Sequence, residues 1–105
     1  MRFLVENTAG GNPSWWLIAS NGEKVAYAGE TFASMSNAKR AAAAFKAGAA
    51  EAKFEVYEDK GGKYRWRAFR GGNNVASSGE PFASKSNAQR AADNVQAKAG
   101  GAEGP

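Results

Sequence analysis

The stretch WLIASNGEKVAYAGETFASMSNAKRAA, residues 16–42, returns fifty residues later as WRAFRGGNNVASSGEPFASKSNAQRAA, residues 66–92. Fifteen of the 27 aligned positions are identical, among them Trp16 with Trp66, Gly29-Glu30 with Gly79-Glu80, and Ser36-Asn37-Ala38 with Ser86-Asn87-Ala88. Phe3 and Val5 match Phe54 and Val56 at a spacing of 51, which assigns the extra residue to the first turn of copy one. A repeat of this regularity decides the organisation of a chain before any single element is read. It divides the protein into repeat one, 2–50, repeat two, 51–99, and a short tail, 100–105, expected to be flexible.

Each copy reads as three strands and a helix. Trp15 to Ala19 is aromatic and β-branched, apolar on both faces, and Asn21-Gly22 is a two-residue hairpin signal of the type I′ kind. Lys24 to Ala28 returns as a third strand. Ser34 or Ser36 then caps an alanine-rich helix from Asn37 to Ala49, whose Ala38, Ala41, Ala42 and Phe45 fall on one stripe. In copy two, Tyr64-Arg65-Trp66-Arg67-Ala68 alternates cleanly, Gly71-Gly72-Asn73-Asn74 turns, and Ser84 or Ser86 caps a helix with Ala88, Ala91, Ala92 and Val95 inward. The expected fold class is α+β: tandem β-β-β-α repeats forming one antiparallel sheet of about six strands, with two helices packed on one face. Trp16 and Trp66 are the equivalent large core residues in this reading.

Each half, near 50 residues, is too small to bury a sufficient core alone, so the halves are expected to share one. That favours a monomer with internal pseudo-twofold symmetry over a homodimer. The chain has 14 basic and 10 acidic residues, a net charge of +4 that divides as +2 in each half. Such a mild excess permits acidic partners without specifying one. No apolar run approaches the ~20 residues of a membrane span. The first residues lack the apolar stretch of a secretory signal, which makes the cytoplasm the expected location. Cysteine and histidine are absent. Disulfides, thiolate metal sites and the commonest general base are therefore excluded, and neither a catalytic residue nor a cofactor is expected.

The ordered motifs of copy two carry a family resemblance: Tyr64-Arg65-Trp66-Arg67, a glycine-bearing turn, Val75-Ala76-Ser77-Ser78-Gly79-Glu80, Phe82 and Ser84-Lys85-Ser86. The chain resembles, over roughly residues 2–98, the small bacterial and archaeal YegP-like proteins built on the domain of unknown function DUF1508. Copy one keeps Asn21-Gly22, Gly29-Glu30, Phe32 and Ser34 but has Trp15-Trp16-Leu17 where the arginines would stand. The resemblance implies tandem or dimeric β-β-β-α units that complete one sheet by exchanging strands across a pseudo-twofold axis. It implies no biochemical activity and carries over no catalytic residue.

Three functional readings follow from the residues. Helices on one face leave the other face of the sheet open, and alternation places Arg65, Arg67 and Phe69 there, with Trp15 and Leu17 as the copy-one counterparts. The first reading is a non-enzymatic module that contacts a protein partner through this face. The second is weak single-stranded nucleic-acid binding, because Lys60, Lys63, Arg65, Arg67 and Arg70 are interleaved with Tyr64, Trp66 and Phe69 and contain no acid among them. The candidate binding set is thus Trp15, Leu17, Lys60, Lys63, Arg65, Arg67 and Phe69. The third reading is an acid–base or cation site made by Glu30 and Glu80 meeting near the pseudo-axis, and it requires the two carboxylates to lie within bridging distance.

Overall fold

The computed structural model describes all 105 residues. Strands β1 (Arg2–Asn7), β2 (Pro13–Ile18) and β3 (Lys24–Tyr27) precede helix α1 (Met35–Gly48). Strands β4 (Lys53–Glu58), β5 (Tyr64–Arg70) and β6 (Asn73–Ser77) precede helix α2 (Lys85–Lys98). A single 3-10 turn follows each helix, at Ala49–Glu51 and Ala99–Gly101. All six strands form one antiparallel sheet in the order β1-β2-β3-β6-β5-β4, and both halves have the same element order.

The strands are not exchanged between the halves. Each half keeps its three strands together, and the halves meet at β3 and β6 through the pair Tyr27↔Ser77. Tight turns explain this. Thr8 N–H donates to Asn12 O, and Asp59 N–H to Lys63 O, so β1 returns at once as β2 and β4 as β5. A chain that turns this tightly has no slack with which to cross the sheet.

The first turns of the two halves are equal in length, and the extra residue of copy one lies in its second hairpin. Gly71 and Gly72 both have positive φ, 57° and 83°, and close a two-residue turn between the paired Arg70 and Asn73. This is where the type I′ requirement for two positive φ values is met. In copy one only Gly22 is positive, at 86°. Asn21 instead accepts from Glu23 N–H through Oδ1 (3.0 Å), and the longer loop closes through Ala19 N–H to Glu23 O. Trp15 is therefore the counterpart of Trp66, at the same spacing of 51 that relates Phe3 to Phe54. The main chain agrees: Ala28 N–H donates to Trp15 O, as Ser78 N–H donates to Trp66 O.

A shift of one residue turns every side chain of a strand to the other face. Trp15 and Leu17 are 1% and 0% exposed and point to the helices, whereas Trp16 faces away from them. The core is a single cluster spanning both halves. Its axis is a run of aromatic contacts. Phe3 meets Trp15 edge-on at 5.6 Å between centroids, Trp15 stacks on Phe45 at 5.2 Å, Phe45 touches Phe54, and Phe54 touches Trp66. Phe45 of α1 thereby packs on β4, so neither half closes its core alone. Ala38, Ala42, Ala88 and Ala92 are fully buried, and their small side chains let both helices approach the sheet closely. Ser34 and Ser84 are the N-caps, each accepting from a backbone N–H three residues on, Asn37 or Asn87, at 3.1 Å.

The C-terminal residues make contacts with the first half. Ala102 is 3% exposed, and Glu103 pairs in parallel with Arg2 at the β1 edge.

Candidate functional site

The open face of the sheet is built by the residues that alternate with the core. The strand registers run Leu4↔Trp16↔Tyr27↔Ser77↔Arg67↔Glu55, one residue from each of the six strands. Beside this row stand the pairs Tyr57↔Arg65 and Lys53↔Phe69. The aromatic residues here are half-buried, and none of the large apolar side chains is fully exposed.

Arg67 occupies the middle of the second half. Its Nη2 and Nε donate to Glu55 Oε1 at 2.9 and 3.2 Å. Its guanidinium lies 4.5 Å from the Tyr57 ring centroid and 5.4 Å from that of Phe69. A planar cation between two rings and tied to a carboxylate is held in one orientation, so little entropy remains to be lost on binding. Trp16 is the counterpart of Arg67 in the first half. Lys24 Nζ sits 5.0 Å above its ring. Tyr27 covers Gly79 so closely that a Cβ there would collide with the ring; only glycine permits that approach.

Of the sequence candidates, Arg65, Arg67 and Phe69 stand on this face. Trp15 and Leu17 do not: both are core residues, because the correct repeat spacing through β2 is 51 rather than 50. Trp16, assigned to the core by the shorter spacing, belongs to the open face with Leu4, Tyr27 and Tyr57. The signal that could have placed them was the spacing of Phe3 and Val5 to Phe54 and Val56.

The basic run of copy two is divided by its partners. Arg65 Nε donates to Asp59 Oδ2 at 2.9 Å and Nη1 to Gly79 O at 3.3 Å. Asp59 also accepts from Gly61 N–H and Lys63 N–H. The Arg65 hydrogen bond, followed by these backbone donors, holds its carboxyl below the usual 3.8. Arg70 turns to the helix side of the sheet, where Nη1 donates to Ala44 O at 3.0 Å over Gly48. Only Lys60 and Lys63 remain exposed on the turn without a side-chain partner. The acids that neutralise the run lie outside residues 60–70, on β4 and its turn.

Glu30 and Glu80 do not form a common site. Each lies three residues beyond the pair Tyr27↔Ser77, and the antiparallel join of β3 with β6 sends the two loops to opposite ends of the sheet. At ~3.3 Å per residue, six residues of separation amount to roughly 20 Å. Both residues use their main-chain carbonyls: Ser14 Oγ donates to Glu30 O at 2.7 Å, and Ser78 Oγ to Glu80 O at 2.9 Å. No helix is long and apolar enough to cross a membrane.

Residues 59–103 match the model of the DUF1508 family, a domain of unknown function. No curated protein matches the sequence. Among solved structures, the chain is similar to YegP from E. coli, a protein of unknown function. The TM-score is 0.81 at 18% identity, over 97% of this chain and 88% of that one. It is also similar to a UPF0339 protein from Shewanella oneidensis, with a TM-score of 0.79 at 15% identity, over 94% of this chain and 84% of the other. At such identities the likeness speaks for the fold, the same six-stranded sheet and two helices. The match to the DUF1508 family covers the second half of the chain, and across the whole chain the likeness to the two solved structures is one of fold.

Proposed function

We propose that the protein is a non-enzymatic interaction module that contacts a protein partner through the open face of its sheet. The supporting observation is the row from Leu4 to Glu55, an aromatic first half continued by an arginine-centred second half, with both helices on the opposite side. Tryptophan, tyrosine and arginine carry most of the energy in protein contacts, particularly where they are already fixed before binding. The size of the face sets the strength. Six strands ~4.8 Å apart and about six residues long give roughly 500 Å². Twice that area is at the lower end for specific contacts, so the association is weak and reversible.

The nucleic-acid reading has less support. Three of its five cations are committed to Asp59, Glu55 and Ala44 O. What remains of it rests on Lys60 and Lys63.

Two variants separate the readings. The immobilised double variant Trp16→Ala/Arg67→Ala is expected to lose partners that wild type and Lys60→Ala/Lys63→Ala both retain from cell extract. Identical capture by all three proteins would defeat the proposal. Oligonucleotide binding that falls steeply with salt and disappears only in the lysine variant would replace it with the nucleic-acid reading.

A further inference from the structure

The sheet has two edges, β1 and β4, and only the first carries a companion segment. On that edge the C-terminal residues run parallel to the strand. Glu103 N–H donates to Met1 O (2.9 Å), Phe3 N–H donates to Glu103 O (2.8 Å), and Glu103 stands beside Arg2. Gly104 follows with φ +92°, and a Cβ there would lie 3.2 Å from Phe3 O. Lys46 Nζ donates to Gly104 O at 3.0 Å. An extended segment of a small residue, an acid and a glycine thus occupies the position, held by its main chain.

Strand β4 is the repeat counterpart of β1 at the spacing of 51. Lys53 corresponds to Arg2, and Phe54 to Phe3. Trp66 O accepts from Ser78 N–H, so the main-chain groups of Trp66 point to β6. In antiparallel pairing this makes Val56↔Trp66 and Phe54↔Ala68 the non-bonded pairs, and the N–H and C=O groups of Phe54 and Val56 point outward from the sheet. The strand pairs regularly with β5 over six residues, with no proline and no bulge of its own. Proline and bulges are two of the devices that usually blunt an edge; charge is a third, and here it is supplied by Lys53, Glu58 and Glu55, the last of them tied to Arg67. Ala52 O accepts from Gln96 Nε2 (2.9 Å) and keeps its second lone pair.

We propose that the β4 edge takes up an extended acidic segment of a partner polypeptide by strand addition. The segment runs parallel to β4, its acid beside Lys53 as Glu103 is beside Arg2, and glycine follows the acid. Phe54 N–H and Ala52 O supply the main-chain bonds, and Lys53 supplies the charge preference. This contact uses the edge and not the open face, so it stands apart from the function proposed above.

The probe is a synthetic octapeptide copying residues 98–105, KAGGAEGP, titrated into the intact isotope-labelled protein and followed by amide resonances. Saturable shifts at Phe54 and Val56, with slowed exchange at Phe54, are expected. The exposed substitution Lys53→Glu should weaken binding about fivefold, the upper end for an exposed ion pair. A peptide with lysine in place of the acid should then bind the variant better than the parent protein. Absence of shifts on β4 at millimolar peptide overturns the proposal. So do shifts confined to β1 around Phe3, equal affinity for the acidic and lysine peptides, or a peptide-free dimer in which the β4 amides are already protected.

Discussion

Replacing Leu17 and Trp16 in turn by glutamate tests the register on which the open face rests. Leu17 is fully buried between the sheet and the helices. Its loss removes packing worth about 2–5 kcal/mol, and a carboxylate in its place adds several kcal/mol of desolvation. The sum approaches the ~5–15 kcal/mol that holds a domain of this size together, so Leu17→Glu is expected to be unfolded or nearly so. Trp16, one residue away, faces solvent. If roughly 100 Å² of sheltered apolar surface is lost there, the cost is about 2.5 kcal/mol. Loss of the Lys24 contact adds ~0.5–1 kcal/mol, and an exposed ion pair between the new glutamate and Lys24 returns about as much. Trp16→Glu should therefore fold, with a net loss of about 2–3 kcal/mol. In urea this corresponds to a midpoint lowered by about 1–2 M with an unchanged slope. Circular dichroism and urea titration of the two variants decide the matter. A folded Leu17→Glu beside an unfolded Trp16→Glu would show that the faces are reversed, and equal losses would show that β2 has no solvent face.

Gly79→Ala must adopt φ +71° and displace the Tyr27 ring, whereas Gly22→Ala needs φ +86° with nothing nearby. Both pay ~1–2 kcal/mol of backbone strain, and Gly79→Ala is expected to melt several degrees lower, at ~4–8 °C per kcal/mol; equal melting temperatures would mean that the Tyr27 contact contributes nothing. Gly48→Ala drives the Arg70 guanidinium from its seat over the helix. In the wild type the helix gain of up to ~1 kcal/mol is offset by the lost hydrogen bond to Ala44 O, and in Arg70→Ala it is not, so only the second background should become more stable. The same gain in both backgrounds would disprove this coupling. The pKa of Asp59 is depressed by folding, so its contribution is complete above 3.8 and is lost as pH falls through the lower folded value. Asp59→Asn should flatten the fall in stability below pH 3.8 relative to wild type; parallel acid limbs would show that the Arg65 contact has no bearing on acid stability.

The fold was readable because it depends on features that survive a one-residue error. Alanine stripes, serine caps and glycine turns mark the elements, and their order implies a six-stranded sheet with helices on one side whichever Trp of the Trp15-Trp16 pair turns inward. The site was not readable because it depends on parity. Either tryptophan can be matched to Trp66, at a spacing of 50 or 51, and the choice exchanges the two faces of β2. One local signal favoured 51: the equal distance from Phe3 to Trp15 and from Phe54 to Trp66. The turns did not decide it, because Asn21-Gly22 and Gly71-Gly72 both suit a two-residue type I′ turn and only the second forms one. The charge of the open face escaped for a different reason. A run of five cations looks unopposed along the chain, but antiparallel pairing sets Glu55 opposite Arg67, and the turn brings Asp59 to Arg65. Their attraction acts across strands, at distances that sequence separation does not report. The long cationic patch is thereby reduced to two exposed lysines and one arginine clamped between rings. A face of this kind suits shape and aromatic contact more than bulk negative charge, which is why the proposed contact is tested at Trp16 and Arg67 rather than at the lysines.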